Sequence, residues 1–321
     1  MELGESYLNS LNTTGMFSKN ALPVTPSSDA VIDELERLAT KYPFLHLFEF
    51  GRSVMGRELH CIRMGSGKRR VFFSASHHAN EWISTLILLK FINELIKKAE
   101  ANDRIGNFYA EDLIKDSSLY FAPLINPDGV DLVLGRIHNN SYYESVKGIA
   151  EKYSEVPFPS GWKANIHGVD LNLQYPANWE KAKEIKYKNG YIGPAPRDFV
   201  GIQPLSEPES CALANLTCKL DPDIVIALHT QGKEIYWRFN DCAPQGSYDF
   251  GMKLAEASGY LLADTPPLSD NAGYKDWFIK KFNRPGYTIE MGLGESPLPL
   301  EQFDSIYSEM EPLLATAAAG Y

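Results

Sequence analysis

Short apolar bursts alternate with amphipathic stretches along almost the whole chain. Arg70-Val71-Phe72-Phe73-Ser74-Ala75 is β-branched and aromatic and predicts a buried strand. Ser84 to Lys98, "STLILLKFINELIKK", is apolar on most faces and lacks Gly and Pro, which predicts a largely buried helix. An earlier helix is predicted from about Ser28, with a Ser/Asp cap and Val31, Ile32, Leu35 and Leu38 on one face. A strand pair flanks "GRSVMGREL", and a strand over Leu119 to Leu124 ends in the turn "NPDG". Residues 140 to 170 show little periodicity and read as a long functional loop. Asp223 to Leu228 reads as a strand that ends in His229, and "GYTIEMG" places Glu290 in or after a late strand. Strands ending in His or Glu predict a sheet whose ends converge on one site, since open α/β sheets bind ligands at their strand ends.

This alternation of strand and helix, with no Pro/Gly/Ser-rich linker, charge block or repeat, predicts one α/β domain. At 321 residues and 44% hydrophobic, the chain can bury a large core. Lys+Arg 31 against Asp+Glu 41 gives a net charge of −10, which argues against nucleic acid or an anionic membrane as partner and favours a small or zwitterionic substrate. The first twenty residues show no basic and then apolar leader, and no segment reaches the roughly 18 apolar residues needed to span a bilayer. A cytoplasmic location is therefore expected. Cys61, Cys211, Cys218 and Cys242 form no CxxC pair and read as free thiols. Residues 1–28 read as a lead segment and 29–321 as the catalytic domain. No pattern reports the oligomeric state.

The candidate chemistry lies in "SHHANEW", Ser76 to Trp82, between the strand at Arg70 and the helix at Ser84. His46 and His60 fall in patterned strand or core segments, and His138 and His167 in polar loops. His77, His78 and His229 remain. Catalytic zinc needs three protein ligands and an open position. His78 and Glu81, three apart at a helix start, can aim at one ion, and His229 at the end of a distant strand can supply the third donor. His77 could pair with Glu81 at i, i+4, but strand alternation sends it to the face opposite His78.

Six segments in order, "GRSVMGREL", "HHANEW", "LINPDGV", "WKANIHGVDLNLQYPANW", "DIVIALHTQG" and "TIEMG", together resemble the zinc carboxypeptidase family from about Asp29 onward. The resemblance implies a single α/β domain with a mixed, mostly eight-stranded twisted sheet between helices, one Zn²⁺ and hydrolysis of an amide bond. By position, His78, Glu81 and His229 match the metal ligands and Glu290 the general base. Lys163 falls where the family usually has an arginine that polarises the scissile carbonyl. Asn80 and Leu173 stand where ordinary members read "HxRE" and "NR", so the arginines that would fork onto a substrate's C-terminal carboxylate are absent.

"GVDLNLQYPANW", "AGYKDWFI" and "ESPLP" are similar to the bacterial γ-D-glutamyl-diaminopimelate peptidases, which implies a peptidoglycan stem peptide (muropeptide) as substrate. Asn172 matches a retained asparagine that holds a substrate carboxylate. Tyr274 is the nearest candidate for a tyrosine that closes over substrate, with a core aromatic as the alternative. Lys275 and Gln174 are candidate polar contacts, with solvated loop residues as the alternative. A general carboxypeptidase, an N-acyl amino acid deacylase of the same fold and an inactive wall-peptide-binding homologue are the competing readings.

Overall fold

Phe72 and Phe73 are adjacent in sequence but enter different hydrophobic layers. Phe73 packs with helices Ser28–Lys41, Ile83–Glu100 and Phe303–Ala319, and Phe72 with helices Pro208–Leu220 and Tyr274–Phe282. Consecutive strand residues point to opposite faces, so a strand apolar at both positions must be covered on both. Ile224, Ile226 and Leu228 likewise join the first layer while Val225 and Ala227 join the second. The result is a sheet between two helical layers.

The computed structural model describes residues 16–17 and 23–321, so most of the expected lead segment 1–28 lies outside the described residues. The strands are β1 (His46–Arg52), β2 (Glu58–Met64), β3 (Arg69–Ala75), β4 (Arg104–Ile105), β5 (Phe108–Tyr109), β6 (Ser117–Ala122), β7 (Ile224–His229), β8 (Glu234–Tyr236), β9 (Leu261–Ala263) and β10 (Gly286–Glu290). β4 and β5 form a separate ribbon; the others form one eight-stranded sheet in the order β1-β2-β6-β3-β7-β10-β8-β9. β6, β3, β7 and β10 run parallel, whereas β1/β2, β2/β6 and β10/β8 are antiparallel. From β3 the chain crosses to β6 on one side and then returns to β7 on the other. Between β3 and β7 the order therefore reverses, and their carboxyl ends open a crevice there. Among the described residues no helix is long and apolar enough to cross a membrane.

Two local expectations change. "NPDG" is not a free turn: Asn126 caps helix Pro127–Val133, with Pro in its first turn where the missing N–H matters least. Within 140–170, Ser141–Ala150 is a helix capped by Asn140. It is short and covers a small satellite cluster around Trp162 and Ile166, so its apolar periodicity is weak.

Asn126 also ties the crevice together. It is fully buried, its Oδ1 accepts from Gly129 N at 3.0 Å, and its Nδ2 donates to His77 O at 3.2 Å and Ala164 O at 3.1 Å. A Cβ at Gly129 would meet Asn126 Oδ1 at 2.6 Å, which is why that helix turn needs glycine. Asn126→Ala should strand these buried groups and lower unfolding free energy by about 2–4 kcal/mol. Urea denaturation measures it, and a change under about 0.5 kcal/mol, the usual size of an ordinary surface substitution, would contradict the role.

Candidate metal centre and catalytic cleft

β3 stops at Ala75 because Ser76 takes a left-handed backbone conformation, φ 51°. Such a conformation is unfavourable for a serine unless it is held. Here Ser76 N donates to Ser84 Oγ at 3.0 Å, and Ser76 Oγ lies 2.8 Å from Thr85 Oγ1, locking the turn onto the following helix. A single turn, Ala79–Glu81, follows with His78 at its head, and Ala79 N donates to Lys163 O at 3.0 Å. These bonds place His78, Glu81 and Lys163 together. His229 closes β7, and β7 pairs in parallel with β10 so that His229 stands beside Glu290.

The donor atoms converge closely. His78 Nδ1 lies 2.9 Å from Glu81 Oε1, His229 Nδ1 lies 2.9 Å from Glu81 Oε2, and the two Nδ1 atoms are 3.1 Å apart. For a tetrahedral zinc bound at roughly 2.0–2.1 Å, neighbouring donors stand about 3.3 Å apart. The observed separations are within a few tenths of an ångström of that. The set of two imidazoles and one carboxylate suits Zn²⁺, and His78, Glu81 and His229 are the residues that would hold it. His78 presents its other nitrogen, Nε2, to Asp170 Oδ1 at 3.1 Å, the usual way a ligating imidazole is oriented.

His77 is outside this cluster. Its Nε2 lies 3.3 Å from the Tyr175 hydroxyl and its ring stacks beside His229 at 5.5 Å, fully buried. The expected division between His77 and His78 is present, but the left-handed turn at Ser76 produces it, since the strand has already ended.

Burial sets the charges. It lowers His77 well below the ordinary imidazole range and lowers His229, so both rest neutral. For His78, burial lowers but Glu81 and Asp170 outweigh it and raise the imidazole. Burial would raise Glu81 and Asp170, but His78 and Lys163 overcome it and hold both carboxyls well below their usual range. Glu290 is different: burial first, and then the facing Glu81 charge, push it up to about 8. A dication on the triad would oppose the Glu81 charge and draw Glu290 back toward ionisation.

Beside the triad lies a cleft of about 110 Å³ lined by His78, Lys163, Asn172, Leu173, Lys275 and Glu290, among others. Lys163 Nζ is 3.3 Å from Glu81 Oε1. Asn172 Oδ1 accepts from Tyr274 N at 2.9 Å, which leaves the amide NH₂ turned to the cleft. Leu173 packs against Trp179 and Ala182 and offers no donor.

Tyr274 is a correction. Its ring is fully buried against Phe72, His77 and Tyr175, and its hydroxyl lies 2.8 Å from Thr217 Oγ1, so it is a core aromatic and cannot close over a ligand without unpacking the second layer. Gln174 and Lys275 are not solvated either. Gln174 is fully buried and organises the 200–207 loop, accepting from Glu207 N at 3.1 Å. Lys275 is ion-paired to Asp276 at 2.6 Å at the cleft wall. Asp170 and Arg197 went unnoticed in the sequence: Asp170 was visible inside "GVDLNL" as a carboxylate two residues before Asn172, whereas the loop bearing Arg197 carries no periodic signal.

Comparison with known proteins gives the family and the fold. The family model described as zinc carboxypeptidase matches residues 31–312. The chain is 40% identical over 281 residues to γ-D-glutamyl-L-diamino acid endopeptidase 1 of Lysinibacillus sphaericus, covering 87% of this chain and 68% of that one. It is 39% identical to the uncharacterized protein YqgT of Bacillus subtilis, covering 89% and 75%. The carboxypeptidase A of Helicoverpa armigera superposes with a TM-score of 0.70 at 18% identity, over 99% of this chain and 81% of that one, which shows the shared fold.

If Asp170 orients His78 for the metal, Asp170→Asn should weaken zinc binding by about 10–100-fold while the protein stays folded. Competition against a chelator of known affinity reads this directly, and undiminished zinc affinity would contradict it.

Proposed function

The chain belongs to the zinc carboxypeptidase family and is a zinc metallopeptidase, and from that premise we propose that it hydrolyses the γ-D-glutamyl-diamino acid bond of peptidoglycan stem peptides. What carries the reading is the character of the cleft beside the triad. Asn80 in the adjoining cavity and Leu173 in the cleft stand where ordinary members carry the two arginines that grip the lone C-terminal carboxylate of an α-peptide, and the one arginine lining the cleft, Arg197, sits where the cleft meets that cavity. The cleft wall carries charges of both signs, the pairs Lys275–Asp276 and Lys186–Asp198, together with the Asn172 amide. A zwitterionic diamino acid such as meso-diaminopimelate matches such a lining, because its ammonium and carboxylate both find partners. The name of the Lysinibacillus relative points the same way.

When bound at the triad, zinc polarises a carbonyl and acidifies water. Glu290, beside His229 on the neighbouring strand, takes the proton from the attacking water and carries it to the nitrogen of the leaving amine. Burial raises Glu290 and a dication on the triad would lower it, so the two opposing effects favour a carboxylate that accepts the proton from water and can release it again to the leaving amine. Lys163 faces the same space, 22% exposed, and steadies the negative charge that develops on the carbonyl oxygen. Burial lowers the Lys163 ammonium, but Glu81 and Asp170 more than offset this and keep it charged.

The zinc-loaded protein should cleave L-Ala-γ-D-Glu-meso-diaminopimelate with kcat/KM about 10²–10⁴ above that for an acyl-blocked α-dipeptide, the span that matched hydrogen-bonding groups can give. Glu290→Gln should keep its zinc and lose about 10² or more in kcat. Mass spectrometry of the new amine terminus identifies the bond cut. Equal or reversed preference returns the protein to the general carboxypeptidases, preference for N-acyl amino acids makes it a deacylase, and zinc binding without turnover of any of these makes it a binding protein.

A further inference from the structure

Two cavities meet at the triad. The first is the cleft with Asn172, Leu173 and Glu290; the second, of about 360 Å³, is lined by Asn80, Glu81, Glu155, Thr230, Gln231 and Ser296, among others. Lys163 and Arg197 are the two side chains that line both. Lys163, 3.3 Å from Glu81, is already assigned to the charge developing on the carbonyl oxygen, which leaves Arg197 as the cation lining both cavities whose part in substrate binding is unassigned. A peptide bond bound over the triad must place its amine part on one side and its acyl part on the other. If the diamino acid occupies the cleft with Asn172, the acyl part extends into the second cavity.

Arg197 is held in place by its surroundings. Lys163 N and Ala164 N both donate to Pro196 O, at 2.8 and 2.9 Å, and Asp170 N donates to Phe199 O at 2.8 Å. Asp198 N donates to Asp170 Oδ2, so the segment 196–199 is threaded between the Lys163 strand of chain and the carboxylate that orients His78. Asp198 sits at φ 66°, a strained backbone that these bonds maintain. The side chain is aimed too: Nε donates to Asp198 Oδ2 at 2.7 Å, and Asp198 is anchored in turn by Lys186. One edge of the guanidinium is thereby used. Among the described residues its two terminal nitrogens have no hydrogen-bond partner, and the side chain is 48% exposed. A preorganised guanidinium with two free donors in one plane suits a carboxylate bound by two parallel hydrogen bonds.

Resting on the reading that the substrate is γ-glutamyl, we propose that Arg197 is the specificity-determining residue for the acyl side, binding the free α-carboxylate that a γ-linked glutamate leaves beside its scissile carbonyl. In an α-linked chain that carboxylate is consumed in the peptide bond; in a γ-linked one it remains, three carbons from the reacting centre. An α-linked glutamate would keep its γ-carboxylate at the same carbon separation, so Arg197 reads a free carboxylate at that distance, which the acyl residues of most α-peptides lack. Glu155 and Glu295, which also line the second cavity, repel a misplaced carboxylate elsewhere in it and favour the Arg197 position.

The test uses two synthetic stem peptides that differ only in the D-glutamyl α-group, a carboxylate in one and a carboxamide in the other, with full-length zinc-loaded protein. The wild type should favour the carboxylate peptide by about 10² or more in kcat/KM. Arg197→Ala should bring that ratio near unity by raising KM for the carboxylate peptide while leaving the carboxamide peptide within a few-fold, and Arg197→Lys should restore part of the preference. Zinc content and the circular dichroism spectrum should match wild type, which separates lost recognition from lost structure. An unchanged ratio in Arg197→Ala, an equal fall for both peptides, or a wild type that cleaves both equally well overturns this inference and leaves the γ-glutamyl activity standing. Turnover of neither peptide by the wild type overturns the activity itself and this inference with it.

Discussion

Parallel pairing of β3, β7 and β10 is the constraint on which the rest depends. Three segments that are not neighbours in sequence, β3, β7 and β10, end on one edge of the sheet because parallel neighbours share a direction. The register then decides which side chains meet: Ala75 pairs with Leu228 and Glu290 with His229, so the turn after β3, the end of β7 and the end of β10 arrive at the same height. Both faces of these strands are buried, and a slip of one residue would exchange the two apolar layers and turn His229 away from Glu81. The metal centre is thus specified largely by hydrophobic packing that never touches it.

Charge balance is the second constraint. Glu81 and Asp170 are buried carboxylates that would be expensive to leave without partners, and the side chains around them are arranged as their counterions or as the donors of a dication site. The chain Asp198–Asp170–His78–Glu81 joins the loop bearing Arg197 to the triad through hydrogen bonds and ion pairs. Any group that moves Asp170 therefore moves both the ligand His78 and the segment that presents Arg197.

Much of this was legible in the sequence. Central strands with both faces apolar announce themselves by composition, and His78, Glu81, His229 and Glu290 each sit at a strand or helix end where pattern reading is strong. Order among six separated motifs then tied them to one family. What escaped detection depends on long-range contacts. Tyr274 lies in a stretch whose tertiary partners, Phe72, His77 and Tyr175, come from two other parts of the chain, so no local period could separate a core ring from a mobile one. The helix Ser141–Ala150 buries only two residues, Val146 and Ala150, too few to print a helical stripe. Arg197 is placed by backbone hydrogen bonds to Pro196 and Phe199, which leave no trace in residue type.

The central claim is that two imidazoles and one carboxylate, His78, His229 and Glu81, hold a single metal ion at these strand ends. X-ray absorption at the zinc edge on the stoichiometrically loaded protein and its His77→Ala variant tests it most directly. The account predicts one zinc per chain with two nitrogen donors of imidazole type and light oxygen donors at about 2.0–2.2 Å, and an identical spectrum for the variant. A shell with three imidazoles or with sulfur, or a spectrum that changes when His77 is removed, would contradict it.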